Sequence, residues 1–247
     1  MNLSDETSVG YLDDLRASHA MFRGLVGGLS VEAPAGPSLL PGWSRAELIT
    51  HLCRNADGMA GMLEGALNGK IVAMYPEGMG KRNADIAAGR GAPLADLIDD
   101  MDRSFARLEA FWDRMDDETW KRPAQWRDIQ GPAWATIRMR WQEVEVHAVD
   151  LDVGRGLEAL PEALADEQAR VAVESVPFRL EAQGASIEVR HPGLPGGHRR
   201  FGSGSDPTVV DGAPAQILAW LLGRRADDLV ATIAGQPCDP PVLGSWL

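Results

Sequence analysis

Ile137-Arg-Met-Arg-Trp-Gln-Glu-Val-Glu-Val-His-Ala-Val-Asp-Leu151 is the stretch on which the reading of this chain turns. Residues three and four apart share one face of a helix. Ile137, Trp141, Val144, Ala148 and Leu151 then form an apolar stripe, and Arg140, Glu143, His147 and Asp150 form an ionisable stripe beside it. Val146 and Val149 are apolar on another side, so most of this helix should be buried. Buried ionisable groups need partners, because unpaired charge away from water is costly. Glu143 and His147 stand one turn apart, close enough to grip a single metal ion, whereas Glu145 points elsewhere.

Two ligands do not make a site. A second helix offers a third in His51, one turn beyond Leu48 and at the edge of that helix's apolar face. Two histidines and a glutamate form a familiar zinc shell, with three protein ligands and one open position, as in catalytic rather than structural sites. The competing reading is plainer. Glu-x-x-x-His pairs are common on solvated helix surfaces, and Arg140 can pair with Glu143 at i+3.

Working outward, the first two-thirds of the chain predicts long helices. Tyr11 to Leu29 carries Leu12, Leu15, Phe22, Leu25 and Val26 near helical spacing. After a loop rich in proline and glycine, Ser44 and Glu47 predict a capping box, flanked by Trp43 and Leu48 in the positions of a hydrophobic staple. That helix should run to Asn68-Gly69. Met74 to Gly91 reads as loop with a short helix around Arg82 to Ala88, and a further helix spans Pro93 to Met115. The helix of the opening stretch should extend from Pro132 to Gly154. Four helices of similar length, with no strand pattern between them, predict a four-helix bundle over residues 1–156.

After Gly156 the pattern changes. One more helical stretch, Pro161 to Gln183, is open to a kink at Pro177 and stopped by Gly184. Short β-type runs follow at Ser186 to Arg190, His198 to Phe201, Thr208 to Val210 and Leu229 to Ile233. Pro192 to Gly197 supplies hairpin-turn material, and a helix spans Pro214 to Leu222. Residues 157–247 therefore predict a small α+β domain, and the chain as a whole is mostly α with two domains.

Composition narrows the function classes. The 247 residues carry 24 Lys+Arg against 36 Asp+Glu, a net charge of -12, which argues against a nucleic-acid partner and an anionic membrane surface. No run approaches the roughly 20 apolar residues of a membrane span. Cys53 and Cys238 make neither a disulfide framework nor a metal clip, and the acidic start lacks a signal-peptide core; a cytoplasmic protein is expected. His19 fits a surface position, His191 and His198 flank a turn and are expected to face solvent, and Cys53 reads as a small core residue. Asp57 and Asp150 are either partners that fix a histidine tautomer or plain surface carboxylates.

Four segments, taken together, carry a resemblance: Leu40-Pro-Gly-Trp-Ser-Arg45, His51-Leu-Cys-Arg-Asn-Ala-Asp57, Met74-Tyr-Pro76 and Glu143-Val-Glu-Val-His-Ala-Val-Asp-Leu-Asp-Val-Gly154. In this order they resemble the mycothiol-dependent maleylpyruvate isomerase family, and Ala219-Trp-Leu-Leu-Gly-Arg224 resembles a segment of that family's second domain. The resemblance implies a DinB-like four-helix bundle in which His51, Glu143 and His147 bind a divalent metal, usually Zn2+. It implies an assisting arginine at Arg224, with Arg225 left open as an alternative register, and mycothiol as thiol cofactor. The implied reaction converts maleylpyruvate to fumarylpyruvate in gentisate degradation.

That chemistry agrees with the residues. A metal-bound thiol is ionised outright, and its addition to the substrate alkene leaves a single bond free to rotate before elimination. Developing enolate charge calls for a cation such as Arg224 or the metal. The partners expected are a small-molecule dicarboxylate and a low-molecular-weight thiol, while oligomeric state stays open, a monomer included. Arg82 and Arg90 are weaker candidates for attracting the dianion, and read otherwise as surface arginines. The rivals are mycothiol-dependent S-transfer onto electrophiles, and a non-catalytic metal-binding regulatory or interaction protein.

Overall fold

Ser44 accepts the backbone N–H of Glu47, and the Glu47 carboxylate accepts the backbone N–H of Ser44 at 2.9 Å, so the predicted capping box is formed. Such a cap contributes about 1 kcal/mol, and it starts the longest helix of the protein's computed structural model, which describes residues 9–126, 129–180 and 186–244. The chain divides into two compact units, 1–154 and 155–247.

In the first unit, α1 (Leu12–Gly27), α2 (Arg45–Leu67), α3 (Gly78–Ala88), α4 (Leu94–Trp112), α5 (Asp117–Trp120) and α6 (Ala135–Asp150) follow in order. The four long helices α1, α2, α4 and α6 form the bundle: α2 packs on α4 and α6, and α1 packs on α6 and α4. Phe22, Leu48, Leu52, Met59, Leu63, Met101, Phe105, Leu108, Ile137 and Val144 fill its centre with almost no exposure. Each such side chain contributes about 1.5–3 kcal/mol by leaving water. The apolar face of α4 is the cleanest, with Leu97, Met101, Phe105, Leu108 and Trp112 all buried at helical spacing.

α6 is covered nearly all round. Arg140, Glu145, Val146, His147, Val149 and Asp150 are buried along with the apolar stripe. It stops at Asp150 rather than at Gly154, because Asp152 already adopts a left-handed conformation at φ 57°. The expectation of no strands between the helices is corrected: β1 (Pro123–Trp126) and β2 (Ile129–Pro132) form an antiparallel hairpin before α6. Among its described residues only Ala124 is buried, so the alternation that betrays a strand is missing. The hairpin holds the chain that precedes α3, since Met74 N–H donates to the carbonyl of Gln125 at 3.0 Å.

The second unit holds α7 (Glu162–Glu174), α8 (Val176–Arg179), β3 (Ile187–Arg190), β4 (His198–Phe201), β5 (Thr208–Asp211), α9 (Pro214–Leu221), β6 (Val230–Ile233) and β7 (Gln236–Cys238). The sheet order is β4-β3-β5-β6-β7, with β3 and β5 parallel and the other neighbours antiparallel. The helical stretch breaks at Ser175, two residues ahead of Pro177, whose ring cannot continue the preceding turn. The predicted stop at Gly184 lies outside the described residues. β7 was not predicted from the sequence; a left-handed Ala234-Gly235 turn joins it to β6, and its central residue is Pro237.

Candidate metal centre

The cap at Ser44 sets the register of α2, and His51 falls two turns inside it with 5% exposure. From α6, Glu143 and His147 reach the same point. His51 Nε2 lies 2.9 Å from Glu143 Oε2 and 3.2 Å from His147 Nε2, and His147 Nε2 lies 3.6 Å from Glu143 Oε2. Ligand atoms about 2.0–2.1 Å from one tetrahedral ion stand roughly 3.3 Å apart. The three observed spacings straddle that value, so the trio has the size of a zinc shell. Among the described residues it is the set of histidine, cysteine and carboxylate groups that could hold a metal ion.

The surroundings prepare two of these side chains. His147 Nδ1 donates to Asp150 Oδ2 at 2.8 Å, and Asp150 has no exposure, so Nε2 is the ring atom aimed at the centre. This answers the open reading of Asp150 in favour of a tautomer-fixing partner. Asp57 instead pairs with Arg54 at 3.1 Å and stays a third exposed. Trp43 and His51 meet at nearly a right angle with ring centroids 5.7 Å apart. Arg82 Nη2 donates to His51 Nδ1 at 2.7 Å.

The protonation states follow from these contacts. Burial pushes His51 down to about 4, against the opposing pull of Glu143. Burial also works against charge on His147, but hydrogen bonds to Asp150 and Glu143 outweigh it and lift the group to about 9. Glu143 is held well below the carboxylate range: burial opposes its charge, yet both histidines favour it. The carboxylate is thus ready to bind a cation, and His147 must give up a proton to do so.

Below the trio, Arg140 does not pair with Glu143 as the simple reading had it. Its Nη1 donates to the Leu52 carbonyl at 3.0 Å and to Asn55 Oδ1 at 2.8 Å, and its Nε donates to His19 Nε2 at 3.0 Å. The guanidinium also lies over the Phe105 ring at 4.5 Å. His19 is accordingly no surface residue, a correction. It has no exposure and donates from Nδ1 to Glu109 Oε1 at 2.7 Å. The signal was present, since Leu15, His19, Phe22 and Val26 share the buried face of α1. His191 is the other correction: it is 3% exposed at the end of β3, where its Nδ1 accepts the backbone N–H of Gly193 at 3.0 Å. A histidine just past a strand end folds its ring back under the turn it precedes. His198 is exposed and Cys53 is fully buried, as read.

Arg224 belongs to the second unit. It follows α9 after the left-handed Gly223, is half-buried, and donates from Nη1 to the Leu222 carbonyl at 2.6 Å. Arg225 is exposed and pairs with Asp227. Arg90 is tied to Glu47 at 3.0 Å and to the Gly42 carbonyl at 2.9 Å, a structural clamp on the start of α2.

A profile of the mycothiol maleylpyruvate isomerase N-terminal domain matches residues 15–152, more than half of the chain. The chain belongs to this family. Two crystal structures are similar over 97% of this chain and 97% of theirs, each with a TM-score of 0.82 and 25% identity. One is a mycothiol-dependent maleylpyruvate isomerase and the other a histidine-to-alanine variant of that enzyme. No curated protein matches. Within the family profile lie all three residues of the trio, together with Asp150 and Arg140. No described helix is long and apolar enough to cross a membrane.

Proposed function

We propose that this protein is a metal- and mycothiol-dependent cis–trans isomerase, acting in the cytoplasm, that converts maleylpyruvate to fumarylpyruvate. The observation that carries this reading is the convergence of His51, Glu143 and His147, whose ligand atoms all lie within 4.8 Å of one another. These side chains would hold a divalent ion, with Zn2+ the best fit to two imidazoles and one carboxylate. When bound, the ion supplies the charge that keeps a thiol ionised near neutral pH, and the thiol supplies a nucleophile able to add to and leave a conjugated alkene.

The remaining roles belong to the chain itself. Asp150 holds the Nδ1 proton of His147 and so keeps Nε2 free to bind. Arg140, locked by Asn55 and the Leu52 carbonyl, anchors α6 to α2 one turn before Glu143. Arg224 is assigned to the developing enolate charge, where a fixed guanidinium lowers the barrier more than mobile water does. Its half-buried setting and its backbone hydrogen bond favour it over the exposed Arg225. In this scheme neither free cysteine, the buried Cys53 or the half-buried Cys238, has to act as a covalent nucleophile, and free thiols suit a reducing compartment.

The test is direct. Purified protein should contain about one zinc per chain and turn over maleylpyruvate only when mycothiol is present. A His147→Ala protein that retains full zinc occupancy overturns the site. Turnover confined to alkylating electrophiles would instead assign mycothiol-dependent S-transfer. A cobalt-substituted protein whose spectrum ignores added thiol would point to the non-catalytic role.

A further inference from the structure

A cleft of about 170 Å³ is lined among others by Arg54, Met74, Tyr75, Lys81 and Arg82, the last of which also touches His51. Its cations are not equivalent. Arg54 is neutralised by Asp100 at 2.7 Å and Asp57 at 3.1 Å, and Lys81 pairs with Asp85 one turn along α3. Arg82 has no carboxylate partner among the described residues. Its Nη1 donates to Asn83 Oδ1 at 2.9 Å, and its Nε is buried with no hydrogen-bond partner. The guanidinium carbon stands 5.9 Å from the centre of the Tyr75 ring. A permanently charged guanidinium without a carboxylate partner is suited to take an anion.

Its Nη2 donates to His51 Nδ1 at 2.7 Å, so the same guanidinium lines the cleft and touches a member of the trio.

We propose that Arg82 is a substrate-binding residue, whose guanidinium takes a carboxylate of the dianionic substrate in this cleft, one residue's reach from the metal ligands. The proposal rests on the metal-dependent isomerase reading above and adds to it the group that recognises the anion.

Maleate, a small cis-dicarboxylate, is the probe. Its binding to zinc-loaded wild type, Arg82→Gln and Arg82→Lys can be followed by calorimetry, with zinc content and melting temperature checked for each. Arg82→Gln is expected to weaken maleate binding about ten- to a hundredfold, the range of a hydrogen-bonded charge pair, at unchanged zinc content. Arg82→Lys should recover part of that loss. Equal affinity in wild type and Arg82→Gln overturns the proposal, and so does a wild type that binds no maleate. Maleylpyruvate turnover is scored separately: a protein that binds maleate through Arg82 but isomerises nothing rejects the reaction and keeps the anion site.

Discussion

Asp150 is a single carboxylate with two consequences. It is fully buried, and it receives the Nδ1 proton of His147 at 2.8 Å. Replacing it with asparagine keeps the shape and removes the charge. We expect Asp150→Asn to weaken zinc binding about ten- to a hundredfold, as loss of such supporting partners does elsewhere; chelator competition gives the number, and an unchanged affinity refutes the orienting role. The second consequence concerns protons. His147, raised to about 9, is charged at pH 7.5, while His51, lowered to about 4, is neutral. Zinc uptake at pH 7.5 should therefore release about one proton, and apparent affinity should climb with pH until about 9. Proton release near zero, measured in weakly buffered solution, contradicts this assignment. Arg224→Lys keeps a charge but loses the planar fork. It should lower kcat with little change in zinc content, whereas Arg225→Lys should leave both alone.

At the scale of elements, α2 does most to shape the site, because it carries His51 on one turn and packs against the Met74–Tyr75 segment further along. That approach is possible only at glycine. A Cβ on Gly58 would stand 2.7 Å from the Met74 carbonyl oxygen and 3.2 Å from the Tyr75 ring. Gly61, one turn on, has nothing within 4 Å of the same position. Gly58→Ala should cost about 1–3 kcal/mol by overpacking and should also displace the wall of the cleft. Gly61→Ala, in the same helix, should be stabilising by about 0.5–1 kcal/mol through helix propensity alone. Thermal melts of the pair decide the matter, and equal shifts would show that close approach is not what glycine provides at position 58.

For the first unit as a whole, a polar chain running inward from half-buried Glu109 ties three bundle helices together: Glu109 of α4, His19 of α1 and Arg140 of α6. Because Arg140 donates to Nε2 of His19, the ring is neutral and donates its own Nδ1 proton to Glu109. Burial, joined by the nearby Arg140, holds His19 down at about 3 against the pull of Glu109. The folded value lies below the ordinary 6.5, so the unfolded chain binds more protons between the two. The contribution of His19 is then complete above pH 6.5 and drains away as pH falls toward 3. Chelator-treated protein should show this decline in urea unfolding, with His51 contributing in the same window. His19→Gln should flatten the slope, and an identical slope would mean that the chain of contacts is not the acid-sensitive element.

The helices were legible in the chain because each carries its own local instructions: the Ser44/Glu47 cap, the apolar spacing of α4, the doubled stripes of α6. The trio itself was legible for the same reason, since two of its members share one turn of one helix and the third sits on the other long buried face. What stayed hidden depends on partners distant in sequence. His19 looked like a surface residue until Arg140, 121 positions away, met its ring. The β1–β2 hairpin lacks an alternating face because it is held by a backbone bond to Met74 rather than by burial of its own side chains. Arg82 and Arg90 read alike as weaker candidates for attracting the dianion or as surface arginines, and only the packing of α3 beside His51 set Arg82 apart. Spacing along a chain determines which side chains share a face, but which faces meet is settled by the burial of the whole core, and it is that meeting which brought three ligand atoms to one point.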